Sequence, residues 1–332
     1  MTAPSLDPSR TVVAICGGVG GAKLALGLQH LLGERLTVVI NVADDFEHMG
    51  LRICPDIDTV IYTLGGLSDE VRGWGRAGET WNFMEATRQL GGEDWFALGD
   101  RDLALHVERT RRLASGETLT DIIGSIARTL GIAPHLLPVT DDDLRTKVKT
   151  DIGVLDFQRY FVEHRCAPVV QDISFEGAAT ARLNPAVSAA LASPQLGAVV
   201  ICPSNPYLSV DPVLAVPGLR EAMIRATAPV VAVSPIIGGR AIKGPTAKIM
   251  NELKIETSSA SIARHYEGLI DGLVIDSADA GDIAEFAARA HSTPTLMTDL
   301  QSRIALAREV LAFAGSLGVG GGRDHAAAAR SG

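Results

Sequence analysis

The residues with the clearest chemical potential lie early in the chain. An apolar run, Thr11-Val12-Val13-Ala14-Ile15-Cys16, passes directly into Gly17-Gly18-Val19-Gly20-Gly21-Ala22-Lys23. A strand, a tight glycine turn and a helix N-terminus together form an anion site, because backbone amides converge on the ligand and the helix dipole favours negative charge there. Glycine lets the backbone approach phosphate oxygens closely, and Lys23 adds a positive charge in the first turn. Gly17, Gly18, Val19, Gly20, Gly21 and Lys23 are therefore candidate phosphate-binding residues. Neither common template fits. A Rossmann fingerprint beginning at Gly18 wants a small residue where Lys23 stands, and the acidic residue expected after the second strand is replaced by Asn41. A Walker A loop needs Ser or Thr after its lysine, where this chain has Leu24. A nicotinamide dehydrogenase is correspondingly disfavoured.

The second apolar run, Leu36 to Val42, opens into Asp44-Asp45, and Asp56-Ile57-Asp58 follows in the same connection. Ligands of open parallel sheets bind at the C-terminal ends of the strands, which places these carboxylates beside the glycine loop. Magnesium takes hard oxygen ligands, often one or two carboxylates together with phosphate oxygens and water. Asp45 with Asp58 or Asp56 can supply that set. Asp56 follows Pro55 and also suits a helix N-cap, and Asp44 is read as solvated rather than as a ligand.

Two later loops also follow apolar strands. Pro203-Ser204-Asn205-Pro206 is stiffened by prolines and offers the polar groups of Ser204 and Asn205, with Ser209 close behind. Such a loop suits ribose, base or phosphate recognition. Ser234-Pro235-Ile236-Ile237-Gly238-Gly239 leads to Lys243-Gly244-Pro245-Thr246, the layout of a helix start with a nearby lysine, a second candidate phosphate or base contact. Between these regions, Asp100-Arg101-Asp102 makes a dense charged patch that suits either a flat polar ligand or a structural ion pair. His106 reads as an ordinary helix-surface residue.

The elements that position these groups are short β-branched runs alternating with helical patterns. Runs at 11–16, 36–42, 198–202, 230–234 and 272–276 are apolar on both faces, as central strands of a parallel sheet covered by helices must be. Helical stretches at 21–32, 216–226, 246–253 and 282–290 separate them. The expectation is an α/β, doubly wound, mostly parallel Rossmann-like sheet. Residues 67–166 break the rhythm and read as a mainly helical insertion covering the site, set into a core of 1–66 and 167–317. The tail, 318–332, reads as disordered.

Composition narrows the field. The 332 residues are 46% hydrophobic and 21% charged, with a net charge of -9 and no basic stripe. Nucleic-acid binding is therefore not expected. Cys16, Cys54, Cys166 and Cys202 are widely spaced and include no Cys-x-x-Cys pair, so neither a disulfide framework nor a zinc cluster is expected. No signal peptide and no membrane span are apparent, which gives a cytoplasmic expectation with no membrane partner.

Six segments taken together resemble one family. They are Gly17–Lys23, Asn41–Asp45, Pro55–Thr59, Leu98–Asp102, Pro203–Pro206 and Ser234–Gly239, and in this order they resemble the 2-phospho-L-lactate transferases of coenzyme F-420 biosynthesis. The resemblance spans roughly Val12 to Leu317 and is nearest to the actinobacterial branch. It implies a magnesium-dependent transfer from a guanosine diphosphate-linked three-carbon acid, enolpyruvyl or lactyl, to the 5′-hydroxyl of the deazaflavin Fo. GMP would leave, and a homodimer would be the assembly. It implies that Asp45 and Asp58, with Asp56, hold magnesium, and that the glycine loop holds donor phosphates. Ser204, Asn205 and Lys243 would bind the guanosine side, while Asp100 and Arg101 would face the deazaflavin. The competing reading is a non-catalytic nucleotide-sugar-binding regulator of the same superfamily.

Overall fold

In the computed structural model, which describes residues 6–241, 244–285 and 288–318, the apolar runs become strands. In chain order these are β1 (Thr11–Cys16), β2 (Leu36–Ile40), β3 (Phe46–His48), β4 (Leu51–Ile53), β5 (His135–Pro138), β6 (Arg145–Thr150), β7 (Gly153–Asp156), β8 (Val170–Glu176), β9 (Leu196–Ile201), β10 (Val230–Val233), β11 (Ile236–Ile237), β12 (Arg240–Ala241), β13 (Gly272–Asp276) and β14 (Arg289–Thr293). The helices are α1 (Gly18–Leu32), α2 (Pro55–Leu64), α3 (Asn82–Gln89), α4 (Asp102–Ala114), α5 (Leu119–Thr129), α6 (Pro185–Leu191), α7 (Asp211–Leu214), α8 (Leu219–Arg225), α9 (Thr246–Glu252), α10 (Ser259–His265) and α11 (Leu300–Leu317). Among the described residues, no helix is long and apolar enough to cross a membrane.

Seven strands form the main sheet in the order β14-β13-β10-β9-β1-β2-β5. Every pairing in it is parallel. This is the expected doubly wound α/β architecture. β1, β9 and β10 are buried along nearly their whole length, which is why they read as unbroken apolar runs rather than alternating ones. From β1 the chain winds outward through β2 to β5, then returns to β9 and winds the other way. The topological switch point therefore lies between β1 and β9, where open α/β sheets bind ligands.

Two expectations change. The segment 67–166 is not one helical insertion. Helices α3, α4 and α5 occupy its first part, but β5 joins the main sheet beside β2, and β6 and β7 pair antiparallel with β8 in a separate small sheet. β5 is a four-residue edge strand with alternating exposure, too short to give the doubly apolar pattern of a central strand. The helix expected over 282–290 is also replaced: a 3₁₀ segment ends at Glu285 and β14 occupies Arg289–Thr293. β14 is the opposite edge strand and is mostly half-exposed, so its polar residues mask it. All but the first residue of the tail expected to be disordered, 318–332, lie outside the described residues.

Candidate active site

The loops after β1 and β9 meet over the switch point, at the mouth of a cavity of about 770 Å³. Gly17, Gly18, Val19, Gly20 and Lys23 line it, as do Ser204, Asn205 and Ser209. Gly18 has φ +62°, a left-handed conformation that only glycine adopts without strain. A Cβ on Gly20 would lie 2.3 Å from the Pro203 carbonyl oxygen, so the two loops pack backbone to backbone. Ser204 Oγ ties them together by donating to Gly17 O at 2.7 Å and accepting Gly17 N–H at 3.3 Å. Asn205 Oδ1 accepts the Tyr207 and Leu208 amides, while its Nδ2 donor is buried without a partner. Gly21 does not line the cavity: it packs against Ser204 and Cys16. Lys23 lines the cavity and donates from Nζ to Met297 O at 3.0 Å. Lys243 lies outside the described residues, although Gly244, Pro245 and Thr246 reach the cavity wall.

The carboxylates sort differently from the expected Asp45, Asp56 and Asp58 set. Among the described residues, no group of three or more His, Cys, Asp or Glu is arranged to hold a metal. Asp56 belongs to the glycine loop. Its Oδ1 accepts the Gly18 amide at 2.6 Å and its Oδ2 accepts Asn41 Nδ2 at 3.0 Å. Asp44, expected to be solvated, is 5% exposed and lines the cavity beside Asp56. Burial, then the neighbouring Asp56 charge, pushes the Asp44 carboxyl well above its ordinary range. Burial likewise raises Asp56 to about 6, against the stabilising hydrogen bonds of Asn41 and Gly18. Two buried carboxylates facing one cavity disfavour each other's charge, and a hard divalent cation with phosphate oxygens would complete this donor set.

Asp45 and Asp58 have different surroundings. Asp45 is buried but does not line the cavity. Its nearest cation, Arg52 Nε, stands 3.7 Å from Oδ2, and burial raises the carboxyl to about 6 with Arg52 the main opposing charge. It points to the β4 side because the β-hairpin of β3 and β4 brings Arg52 beneath it. Asp58 lines the cavity, but both its oxygens are held by the fully buried guanidinium of Arg109. A carboxylate engaged by both arms of a buried arginine is already neutralised.

α2 explains how these side chains come together. Pro55 at N1 starts it, and Asp56 and Asp58 in its first turn complement the helix dipole. Ile57, Val60, Ile61 and Leu64 recur at helical spacing and anchor it in the core. Pro55, Asp56, Asp58, Thr59 and Tyr62 are left toward the cavity.

Asp100 and Arg101, expected to face an acceptor, do not line the cavity. Asp100 accepts Thr80 Oγ1, Asn82 Nδ2 and the amides of Asn82 and Phe83, so it caps the start of α3, and these bonds depress its pKa to about 2. Arg101 is exposed and lies against Gly78. The acidic residue that does reach the cavity is the next but one, Asp102. His106 is not on the helix surface but is 1% exposed. Asp102, His106 and Arg109 fall at i, i+4 and i+7 of α4, one helical face, and that spacing was open to reading in the sequence. An aromatic wall of Trp74, Trp95, Phe96, Phe157 and Phe161 also lines the cavity. Trp74, Trp95 and Phe96 lie on loops, while Phe157 and Phe161 are an i, i+4 pair with stacked rings on one helical segment.

Comparison with known proteins agrees with this architecture. A model of the family described as 2-phospho-L-lactate transferase CofD matches residues 12–312. A phosphoenolpyruvate transferase of Streptomyces griseus is 39% identical over 313 residues, covering 91% of this chain and 98% of that protein. One of Mycobacterium bovis is 36% identical over 330 residues, covering 92% and 98%. Among solved structures, a member of the UPF0052 family from Bacillus halodurans superposes with a TM-score of 0.60 at 16% identity, over 91% of this chain and 99% of that one, a likeness of fold. With matches across nearly its whole length on both counts, the chain belongs to the CofD family of 2-phospho-L-lactate transferases.

Proposed function

We propose that the chain transfers an enolpyruvyl-phosphoryl group from a guanosine diphosphate-linked donor to the terminal hydroxyl of the deazaflavin Fo, releasing GMP in coenzyme F-420 biosynthesis. The observation that carries the reading is the union, in one cavity, of a glycine loop, a buried carboxylate pair and an aromatic wall. The loop and pair suit a diphosphate; the wall suits a flat ring system. Relatives named phosphoenolpyruvate transferases favour the enolpyruvyl over the lactyl unit.

Displacement at phosphorus needs alignment and charge neutralisation more than covalent chemistry. The α1 N-terminus and Lys23 attract the donor diphosphate, and Asn205 Nδ2 offers a spare donor to the nucleotide. Asp44 and Asp56 would hold magnesium, which when bound neutralises diphosphate charge and acidifies a coordinated alcohol. Asn41 and the Gly18 amide keep Asp56 oriented. The aromatic wall stacks the acceptor and excludes water from its reacting end. The alcohol oxygen forms the new bond to the phosphorus bearing the three-carbon unit as the bond to GMP breaks. The family resemblance implies a homodimer working in the cell interior.

The test is incubation with Fo, magnesium and the guanosine donor while GMP and the ligated deazaflavin are followed by chromatography. Equal amounts of both are expected. No GMP, together with tight binding of a nucleotide sugar, would instead identify a non-catalytic regulator.

A further inference from the structure

α4 turns an unusual face inward. A helix packed on a core normally buries apolar side chains, but Asp102, His106 and Arg109 occupy the buried face here. Asp102 Oδ1 accepts the Tyr62 hydroxyl, and its Oδ2 stands 3.2 Å from His106 Nε2. The other ring nitrogen, Nδ1, lies 3.6 Å from Asp58 Oδ2, and Asp58 is held in turn by Arg109. Neither His106 nitrogen makes a well-aligned hydrogen bond, and both are buried. An imidazole kept so poorly satisfied costs stability that an apolar side chain would spare, so packing alone does not account for it.

The row has a direction. Asp102, His106, Asp58 and Tyr62 all contribute to the cavity wall, but the side-chain exposures are 2% for His106 and 18% for Asp102. Asp102 is thus the open end and His106 stands behind it. Each Asp102 oxygen keeps lone-pair capacity for an incoming hydroxyl. Groups facing the pair are Tyr62 and Asp58 from α2 and Arg109 from α4 itself. Glu79 faces it from the loop before α3, where its Oε1 accepts the Asp102 amide at 2.9 Å.

We propose that Asp102 and His106 form the proton acceptor for the attacking alcohol, with Asp102 touching the hydroxyl and His106 holding the proton. This rests on the transfer reading above. The alcohol O–H bond breaks toward Asp102, its electron pair forms the oxygen–phosphorus bond, and the bond to GMP breaks with its pair on the departing phosphate. The proton passes to His106 Nε2 and reaches solvent when products leave. Tyr62 fixes the carboxylate plane, and the Asp58–Arg109 pair fixes the imidazole as a positioning unit. Histidine suits the holding role because its ring nitrogens can both accept and donate a proton.

The experiment measures single-turnover GMP formation from about pH 5 to about pH 9 for the unmodified chain, His106→Gln and Asp102→Asn, with Fo and magnesium saturating; a positioned base contributes on the order of 10² to 10⁴ in rate. GDP affinity and melting temperature are read in parallel. The unmodified chain is expected to show a rising limb that levels off. His106→Gln should lose at least about a hundredfold at the plateau and flatten the limb, with GDP affinity kept within about twofold. If His106→Gln fails to fold, Asp102→Asn decides by the same criteria. Variants that keep the limb and stay within about threefold of the parent rate overturn this inference and leave the transfer reading standing. Absence of GMP release from the unmodified chain overturns both.

Discussion

Asp56 Oδ1 accepts the amide of Gly18 at 2.6 Å, so a carboxylate from α2 sits at the N-terminus of α1 where a phosphate oxygen is expected to bind. The glycine loop and the acidic connection are therefore one structure. Asp56 shapes the loop while Asn41 holds its second oxygen, and Asp44 joins it from the tip of β2.

This pairing separates the aspartates by role. Asp44→Asn and Asp56→Asn are each expected to raise the magnesium concentration for half-maximal transfer by at least about tenfold, roughly 1.4 kcal/mol. Asp45→Asn should leave it within about threefold, because Asp45 is outside the cavity. A magnesium titration of initial rates distinguishes them. Equal effects at Asp45 and Asp44 would contradict the sorting.

Arg109→Leu leaves Asp58 buried beside no full cation partner. Breaking a buried ion pair from one side typically costs about 3–5 kcal/mol, so a clear drop in the urea midpoint is expected. Arg109→Lys should recover only part of it, since a single ammonium cannot reproduce the two-armed contact.

Gly18→Ala and Gly20→Ala should weaken GDP binding by different routes. At Gly18 the left-handed backbone costs about 1–2 kcal/mol for any L side chain. At Gly20 the new methyl meets the Pro203 carbonyl at 2.3 Å and forces the two loops apart. Calorimetric GDP titration should show the larger loss for Gly20→Ala; unchanged affinity in both would remove the loop from the nucleotide site.

The raised carboxylates set a pH dependence. Asp45, Asp56 and Asp58 move from 3.8 to about 6 on folding, chiefly by burial. Across that interval the folded chain holds protons the unfolded chain has lost, so this cluster's contribution to stability falls as pH rises from about 4 to above 6. The metal-free protein should lose melting temperature over that window, against the opposite trend of carboxylates such as Asp100 and Asp142, whose pKa values folding lowers. Added magnesium should restore more at pH 7 than at pH 5, because Asp44 and Asp56 would have to be ionised to bind it. Differential scanning calorimetry with and without magnesium provides the comparison.

Trp95→Ala and Phe161→Ala remove parts of the aromatic wall. Both are expected to raise the acceptor KM by about tenfold while leaving GDP affinity unchanged, consistent with stacking contributions on the order of 1–3 kcal/mol per ring. Steady-state kinetics with Fo varied at saturating donor tests this. A purely structural wall would instead lower stability and leave KM alone.

What the sequence by itself determined was whatever depends on local pattern. Doubly buried strands leave unbroken apolar runs, so the central sheet and the glycine turn after β1 were legible, whereas the strand order that sets the switch point was not. Of α2, only a candidate N-cap at Asp56 after Pro55 was legible. Tertiary structure alone decided which aspartates share the cavity: neighbours in sequence, Asp44 and Asp45, face opposite environments because a hairpin carries Arg52 under one of them. It also turned the polar face of α4 inward, engaging Asp58 through Arg109, and gave Asp100 to the cap of α3. Edge strand β14 escaped notice because its half-exposed residues are mostly polar, and β5 because four residues are too few to show a pattern. A side chain's partners are fixed by which distant elements pack against it, and that information is spread across the chain rather than written beside the residue.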